Sequence, residues 1–270
     1  MDRIIAWIMI IITAVHALLP VVSHGAPLDL EGYSLVFEDA FDGETLDTDV
    51  WYHRGEGERR CGYNAAEQVR LEDGKAILRA EYLENGKYGA GWYTGAIALR
   101  QKYQNGYFEI SCKCNQDRDF WSAFWLQSGN SYDHELSAGG VGGAEVDIFE
   151  AMETRYLPGL LNRSVKSTVY CNGTDALPER IDRHRVGKYF VKDLYSTFHT
   201  FGLKWTPEEY IFYIDGVESG RTSFGKGVST VPEEVIVSLE IPEKIHSHPD
   251  GFSTEFEVEY VKIWQTDPAN

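Results

Sequence analysis

Positive charge is scarce in this sequence. Its 270 residues include 25 Lys and Arg residues against 42 Asp and Glu residues, so the formal net charge is −17 at pH 7. Such a charge repels phosphate backbones and anionic lipid surfaces, and no basic run along the chain offsets it locally. We therefore expect no nucleic-acid partner, and the same repulsion disfavours highly sulfated ligands.

Cysteine is also rare, with Cys61, Cys112, Cys114 and Cys171 the only four. Cys112 and Cys114 are two positions apart in a predicted strand, a spacing that suits neither a relaxed mutual disulfide nor a CxxC site. The sequence therefore signals neither zinc binding nor redox chemistry. Disulfides are permitted if the chain is exported, and the three full pairings of four cysteines stay open.

Long helical patterns, internal repeats and Pro/Ser-rich linkers are missing from the chain after residue 26. Short runs with a hydrophobic period of two, separated by turn signals, take their place. Since all-β domains reach roughly 200 to 250 residues, we predict one antiparallel two-sheet sandwich over residues 27–270. The twelve predicted strands cover residues 33–37, 69–71, 76–82, 96–101, 106–113, 122–127, 145–149, 166–171, 199–205, 210–214, 234–239 and 255–265. Asp215-Gly216 is predicted to supply a hairpin turn.

The first 26 residues have the pattern of a secretory signal. Arg3 precedes an apolar stretch over residues 4–22, and small residues follow at Gly25 and Ala26. We expect a cleaved leader and a protein that is secreted, periplasmic or held at the cell surface. The apolar stretch exceeds the usual signal core of about 7 to 15 residues, so an uncleaved anchor, with a membrane partner, is the alternative.

Three carboxylates stand close together in the segment Glu145-Val146-Asp147-Ile148-Phe149-Glu150. Alternation along a strand places Glu145 and Asp147 on one face, but it places Glu150 on the opposite face. A β-bulge at Ile148 and Phe149 would return Glu150 to the face of the other two acids while keeping both apolar side chains buried. We predict such a bulge. The glycine-rich segment 128–144 is expected to rim the same site.

Aligned carboxylates repel one another, so a functional reason for them is favoured over a purely structural one. A solvated acidic face and a calcium site are the alternatives. The chemistry fits retaining glycoside hydrolysis, in which one carboxylate attacks the anomeric carbon and a second carboxyl protonates the leaving oxygen. The third acid would hydrogen-bond the nucleophile and keep the pKa of the acid high. The 7 Trp and 16 Tyr residues suit stacking on sugars.

At these residues the chain resembles glycoside hydrolase family 16, whose signature E-x-D-x-x-E stands here as Glu145 to Glu150. The resemblance runs through most of the chain after residue 26, in order. The segments that carry it cover residues 37–43, 93–97, 103–109, 120–125, 199–205 and 212–216. It implies a concanavalin-like jelly roll with a concave substrate cleft and a monomeric enzyme that needs no cofactor for catalysis.

The resemblance also implies roles for individual residues. Glu145 would be the nucleophile, Asp147 its assisting carboxylate and Glu150 the acid/base. Trp121 would stack on a sugar near the cleavage point, and Glu109 would bind a sugar hydroxyl. Looser segment matches suggest further substrate contacts at Asn64, Trp92, Trp125 and Tyr170, and a structural calcium ion near Gly43 and Glu259.

The longer form of the signature is typical of laminarinases and of galactan, agar and carrageenan hydrolases. We therefore expect a polysaccharide substrate, with an endo-hydrolase of β-1,3 or mixed β-1,3/1,4 glucans as the first hypothesis. An endo-β-galactanase acting on agar, galactan or O-glycan chains is the enzymatic alternative. A lectin-like protein that binds carbohydrate in the same groove without turnover is the alternative from another class.

Overall fold

The computed structural model describes residues 25–117, 119–151 and 164–266, so the predicted leader lies almost wholly outside the described residues. Two stacked β-sheets with few helical turns make up this part of the chain. No helix within the described ranges is long and apolar enough to cross a membrane. The strands are β1 Tyr33–Asp39, β2 Trp51–His53, β3 Gly57–Arg59, β4 Gly62–Asn64, β5 Val69–Leu71, β6 Ala76–Gly86, β7 Gly89–Thr94, β8 Ala96–Leu99, β9 Gly106–Lys113, β10 Trp121–Gln127, β11 Glu145–Ala151, β12 Ser164–Asn172, β13 Ile181–Phe190, β14 His199–Trp205, β15 Tyr210–Ile214, β16 Val217–Thr222, β17 Glu234–Glu240 and β18 Ser253–Thr266.

The larger sheet has eleven strands in the order β16-β15-β14-β9-β18-β6-β7-β4-β3, with β1 beside β18 and β5 beside β6. The smaller sheet has seven strands in the order β13-β12-β11-β10-β17-β8-β2. Paired strands run antiparallel except β4 and β7, which pair in parallel at Tyr63 and Tyr93. The predicted two-sheet β-sandwich is confirmed, with that one parallel pair as a departure from the expected pattern.

The core lies between the two sheets because each strand turns alternate side chains inward. In β10, Phe124 and Leu126 are fully buried in the core, whereas Trp121, Ala123 and Trp125 form a separate cluster on the outer face of the smaller sheet. This alternation is the period of two read in the sequence. It leaves the outer face of β10 and β11 free to form a binding surface.

Turn chemistry also follows the prediction at the hairpin between β15 and β16. Asp215 and Gly216 have φ values of 50° and 73°, and Ile214 pairs with Val217 across the turn. Positive φ at both central residues is the geometry that a tight two-residue hairpin requires, and an Asp-Gly pair adopts it readily. The predicted hairpin turn is confirmed.

Six of the eighteen described strands lie outside the twelve predicted ones. They are β2, β3, β4, β7, β13 and β16. The longest of these, β13, is a mostly polar strand at the edge of the smaller sheet, where one side has no partner strand among the described residues. Its solvated side chains break the hydrophobic alternation on which the prediction depended. The helices are short: α1 His134–Ser137 and two 3-10 turns at Ala66–Gln68 and Ala138–Gly140.

All four cysteines lie in the described ranges, and none of them forms a disulfide there. Cys112, Cys114 and Cys171 are buried, whereas Cys61 is exposed. Burial raises the pKa of the Cys112 and Cys171 thiols, which keeps both groups in the neutral form. Among the three pairings that the sequence left open, this structure contains none.

Candidate active site

The three carboxylates of β11 lie on one face because the strand contains a β-bulge. Opposite β10, Phe124 pairs with Phe149 and Trp125 pairs with Asp147, so Ile148 is the extra residue. Opposite β12, three steps from Asp147 to Glu150 match only two steps on the partner strand. Ile148 and Phe149 are both buried. The predicted bulge, with its two apolar side chains in the core, is confirmed.

Glu145 is held at the end of its side chain by two donors. Gln127 donates its amide N–H to Oε2 of Glu145, and the Tyr132 hydroxyl donates to the same oxygen at 2.6 Å. Arg54 in turn donates to Oε1 of Gln127 at 2.6 Å, which fixes the orientation of that amide. Burial raises the pKa of Glu145, whereas the hydrogen bonds from Tyr132 and Gln127 oppose that shift by stabilising the ionised form.

Asp147 is the most deeply placed of the three acids, with 5% of its surface exposed. Burial raises its pKa well above the usual value, and repulsion from Glu150 and Glu145 adds to the effect. The raised pKa favours the protonated form of Asp147, whose carboxyl hydrogen-bonds Glu150. The sequence predicts this hydrogen bond to Glu145 instead. The bulge accounts for the difference because it turns Glu150 back towards Asp147.

Glu150 lies between an indole and an ammonium group. The indole N–H of Trp121 donates to Oε1 of Glu150 at 3.0 Å, and the Lys166 ammonium is 2.9 Å from Oε2. Trp121 and Lys166 come from the strands on either side of β11, so the sheet itself positions both contacts. An acid held at both oxygens keeps a fixed orientation towards a ligand in the groove.

An open groove of about 700 Å³ crosses the smaller sheet above these acids. Three guanidinium groups cover one side of it, although the chain as a whole is strongly acidic. Arg60 lies over the ring of Trp121 at 4.9 Å, and Arg54 lies over Trp125 at 4.6 Å. The lining residues are Arg54, Arg59, Arg60, Trp121, Ala123, Trp125, Gln127, Tyr132, Glu145, Asp147, Glu150 and Glu240.

Among the residues predicted to contact substrate, Trp121 and Trp125 line the groove. Tyr170 is half-buried and pairs directly with Glu145 across β11 and β12, which places it beside the acids. Asn64 and Trp92 do not line the groove. Asn64 accepts a hydrogen bond from Thr94 and donates to the backbone of Arg54, so it fixes the turn after β2 that carries this arginine.

Trp92 and Glu109 lie outside the lining of the groove. Trp92 packs in an aromatic cluster with Phe120 and His248, at centroid distances of 5.3 and 5.2 Å. Glu109 lies on the outer face of the larger sheet, because the neighbouring Phe108 faces the core. The structure brings neither side chain into the groove.

Two places in the structure bear on metal binding. Glu259 accepts a hydrogen bond from Ser111 at 2.6 Å, and the calcium ion predicted near Gly43 and Glu259 stays a prediction. Asp117, Asp119 and His248 place one potential ligand atom each within 4.8 Å of one another. Asp119 also accepts hydrogen bonds from His248 and His246, so these side chains already satisfy one another.

Several groove residues were missed in the sequence. Gln127 was within reach of the prediction, because it continues the alternate positions of Trp121 and Trp125 along β10. Tyr132 belongs to the segment that was expected to rim the site. Arg59 and Arg60 are different, since they reach the groove from β3 and the turn after it, which are distant in the chain from β10 and β11. Their positions depend on sheet order, which the local pattern does not encode.

Comparison with known proteins agrees with this geometry. The family model "Beta-porphyranase A-D, GH16 domain" matches residues 35–259. The glucan endo-1,3-beta-glucosidase of Cryptopygus antarcticus is 27% identical over 272 residues, which cover 90% of this chain and 93% of that protein. The endo-1,3-1,4-beta-glycanase ExsH of Rhizobium meliloti (strain 1021) is 27% identical over 182 residues, which are 67% of this chain and 34% of that protein.

The chain thus spans about a third of the length of ExsH. Among solved structures, SCLam, a non-specific endo-beta-1,3(4)-glucanase from family GH16, superimposes with a TM-score of 0.70 at 21% identity. The match covers 90% of this chain and 95% of SCLam and shows that the two share a fold. Because the family model covers most of the sequence, this chain belongs to glycoside hydrolase family 16.

Proposed function

We propose that this protein is a retaining endo-hydrolase of β-1,3 or mixed β-1,3/1,4 glucans. The observation that carries the proposal is the bulge in β11, which gathers Glu145, Asp147 and Glu150 on the floor of an open groove. An open groove suits internal cleavage because a long chain can lie across it. Relatives named as endo-glucanases support the substrate class.

In this proposal Glu145 is the nucleophile. Its carboxylate attacks the anomeric carbon while the carboxyl of Glu150 donates a proton to the departing glycosidic oxygen. The bond from that carbon to the leaving sugar breaks, and a covalent glycosyl ester forms on Glu145. Glu150, now ionised, takes a proton from water, whose oxygen then displaces Glu145 and leaves the product with its original anomeric configuration.

The neighbours of the two acids suit these roles. Tyr132 and Gln127 stabilise the carboxylate form of Glu145 by donating hydrogen bonds to it. Asp147 hydrogen-bonds Glu150 and has a raised pKa, so we propose that it orients the acid/base. Trp121 would both hold Glu150 and offer an aromatic surface to the sugar at the cleavage point. We propose that catalysis requires no cofactor.

A polysaccharide panel tests the proposal. Purified protein spanning residues 27–270 is incubated with laminarin, barley β-glucan, agarose, porphyran and a mucin O-glycan preparation, and product sizes are followed over time. We expect a ladder of intermediate oligosaccharides from laminarin or barley glucan at early times. Single-sugar release would contradict endo action. Binding without cleavage across the whole panel would contradict the enzymatic role and favour the lectin-like alternative.

A specific observation favours the galactan alternative as a second candidate. Arg54, Arg59 and Arg60 line the groove. Arg54 pairs with Glu234, and Arg59 and Arg60 share Glu240. These guanidinium groups weaken the argument from net charge, because close charges outweigh distant ones. Anionic galactans would place their charged groups here. The porphyranase-type family model points the same way.

Substitution of these arginines separates the two candidates. If the substrate is an anionic galactan, R59A/R60A lowers kcat/KM on porphyran by about 10- to 100-fold, the range expected for losing charged hydrogen bonds. The same change alters kcat/KM on laminarin by less than about 3-fold. Equal losses of kcat/KM on both polymers would indicate that the arginines maintain the shape of the groove and do not bind charged groups of the substrate.

We also propose that the protein acts outside the cytoplasm as a monomer, with residues 27–270 as the catalytic domain. The leader pattern over residues 1–26 supports export. N-terminal sequencing of protein recovered from the expressing cells tests this directly. A chain that begins after Gly25 or Ala26 is expected, whereas retention of residues 1–26 in the membrane fraction would favour the anchor.

A further inference from the structure

A buried carboxyl lies directly behind the start of β11. Glu233 precedes β17 and has no exposed surface. Its backbone exchanges two hydrogen bonds with Tyr103, at 2.8 and 3.0 Å, so the main chain is fixed on that side. The side chain points towards the smaller sheet, where it contacts the residue before Glu145.

Oε1 of Glu233 accepts a hydrogen bond from the backbone N–H of Ala144 at 2.9 Å. The carbonyl of Ala144 accepts from the backbone N–H of Ser128 at 3.1 Å. The backbone N–H of Ala144 is therefore held by Glu233, and its backbone carbonyl is held by Ser128. Because Ala144 is joined to Glu145 by a peptide bond, this arrangement fixes where the side chain of Glu145 begins.

Glu145 is consequently held at two ends. Gln127 and Tyr132 hold its carboxylate, and Glu233 holds the backbone from which the side chain extends. The groove face supplies the first pair of contacts and the interior of the protein supplies the second. A nucleophile that must approach an anomeric carbon benefits from both, since a displacement of 1 Å costs roughly 100-fold in rate.

The surroundings of Glu233 favour its neutral form. Among the described residues, Oε2 has no hydrogen-bond partner, and Glu145 and Tyr210, which interact with Glu233, supply no positive charge. Burial raises the pKa of Glu233 to about 8, although the Ala144 N–H and the Ser229 hydroxyl oppose the shift. A neutral carboxyl can still accept from Ala144 through its carbonyl oxygen.

We propose that Glu233 is a positioning residue for Glu145, which fixes the start of β11 through Ala144. The inference rests on the proposed function, since it assigns Glu145 the role of nucleophile. Glu233 does not line the groove, so in this proposal it acts on Glu145 without contacting the sugar. A purely structural role would alter stability and leave turnover per folded molecule unchanged.

Three variants test this role. Glu233→Gln keeps an acceptor oxygen of the same shape in neutral form, Glu233→Leu removes the acceptor at similar volume, and Glu257→Gln on the larger sheet is the matched control. Each is assayed for kcat and KM on the polysaccharide that the wild type cleaves, well below its Tm. If E233L does not fold, Glu233→Asp replaces it, because its shorter side chain withdraws the carboxyl from Ala144.

We expect E233Q and E257Q to keep kcat within about 3-fold of wild type, and E233L or E233D to lower kcat by roughly 10- to 100-fold with KM changed by less than about 2-fold. Wild-type kcat in folded E233L or E233D would overturn the positioning role. So would an E233Q loss equal to that of E233L. If the wild type cleaves no polymer, the proposed function fails first, and this inference fails with it.

Discussion

Carboxylates occur on the outer faces of both sheets, and their surroundings differ sharply. On the larger sheet, Glu257 forms ion pairs with Lys113 and with Lys75, the latter at 3.4 Å. Glu109 accepts hydrogen bonds from Tyr107 and Tyr260 at 2.7 and 2.9 Å. Each of these acids has its own partners.

On the smaller sheet, three acids share one short strand and one nearby ammonium group, that of Lys166. Burial and mutual repulsion raise the pKa values of Glu145 and Asp147. The difference shows that acidic residues on a sheet face do not by themselves mark a site. Crowding of acids without matching positive charge does, because it costs stability and persists only where the group has a use.

The largest expected effect is on turnover at the smaller sheet. Glu145→Ser and Glu150→Gln should each lower kcat on the wild-type substrate, by roughly 10⁴-fold for the nucleophile and about 10²- to 10⁴-fold for the acid/base. Initial-rate assays of reducing ends measure this. Glu257→Gln is the control on the larger sheet and should retain wild-type kcat. Similar losses in all three variants would erase the distinction between the two faces.

The next effect concerns the core beneath the crowded acids. Phe149 is fully buried at the bulge and stacks on Phe201 with a centroid distance of 4.1 Å. Phe149→Ala should therefore lower the free energy of unfolding by about 3 to 5 kcal/mol. Urea unfolding followed by tryptophan fluorescence measures the loss. An unchanged midpoint would mean that the bulge does not depend on this packing.

A smaller effect is a pH-dependent difference between wild type and Glu233→Gln. The native chain keeps the Glu233 proton until pH about 8, whereas the unfolded chain loses it near pH 4.5. The native state binds more protons in this window, so the unfolding free energy contributed by Glu233 falls as pH rises from 4.5 to 8.

The Glu233→Gln variant has no titratable group at this position. As pH rises, its unfolding free energy relative to that of the wild type should therefore increase by at most about 1.4 kcal/mol per pH unit. Urea titrations at pH 5, 6.5 and 8 measure the gain. The raised pKa values of Glu145 and Asp147 affect both proteins and cancel in the difference. Parallel pH profiles would show that Glu233 is ionised in the native protein.

The smallest effect is on the larger sheet. Glu257→Gln should lower the unfolding free energy by less than about 1 kcal/mol, because its ion pairs with Lys75 and Lys113 are partly exposed to water and salt. Unfolding at low and high salt should give nearly the same difference. A loss of unfolding free energy above 2 kcal/mol would mean that the acids of this face contribute to stability on the scale of core residues.

Much of the fold and the centre of the site follow from local patterns. The period of two located β10 and β11, and the conflict between alternation and Glu150 required the bulge at Ile148 and Phe149. The Asp215-Gly216 hairpin follows from turn chemistry alone. In each case the cause lies within about ten residues of chain, where spacing in sequence fixes spacing in space.

The parts of the fold and of the site that the local patterns do not predict depend on packing between segments that are distant in the chain. Arg59 and Arg60 reach the groove through the edge of the larger sheet, and no local pattern marks them as site residues. Glu233 lies in a Pro-Glu-Glu run that resembles a solvated turn, yet it is fully buried. Glu109 shows the reverse case, since a segment typical of the family carries it to the opposite sheet. Sheet order decides all of these positions.

The most direct test of the account follows the anomeric configuration of the first product. Proton NMR of early hydrolysis, recorded before mutarotation equilibrates the sugar, measures the new reducing end. Double displacement through Glu145 and Glu150 predicts that the β-anomer appears first. Initial release of the α-anomer would contradict the assignment of Glu145 as nucleophile and, with it, the central claim about the crowded face of the smaller sheet.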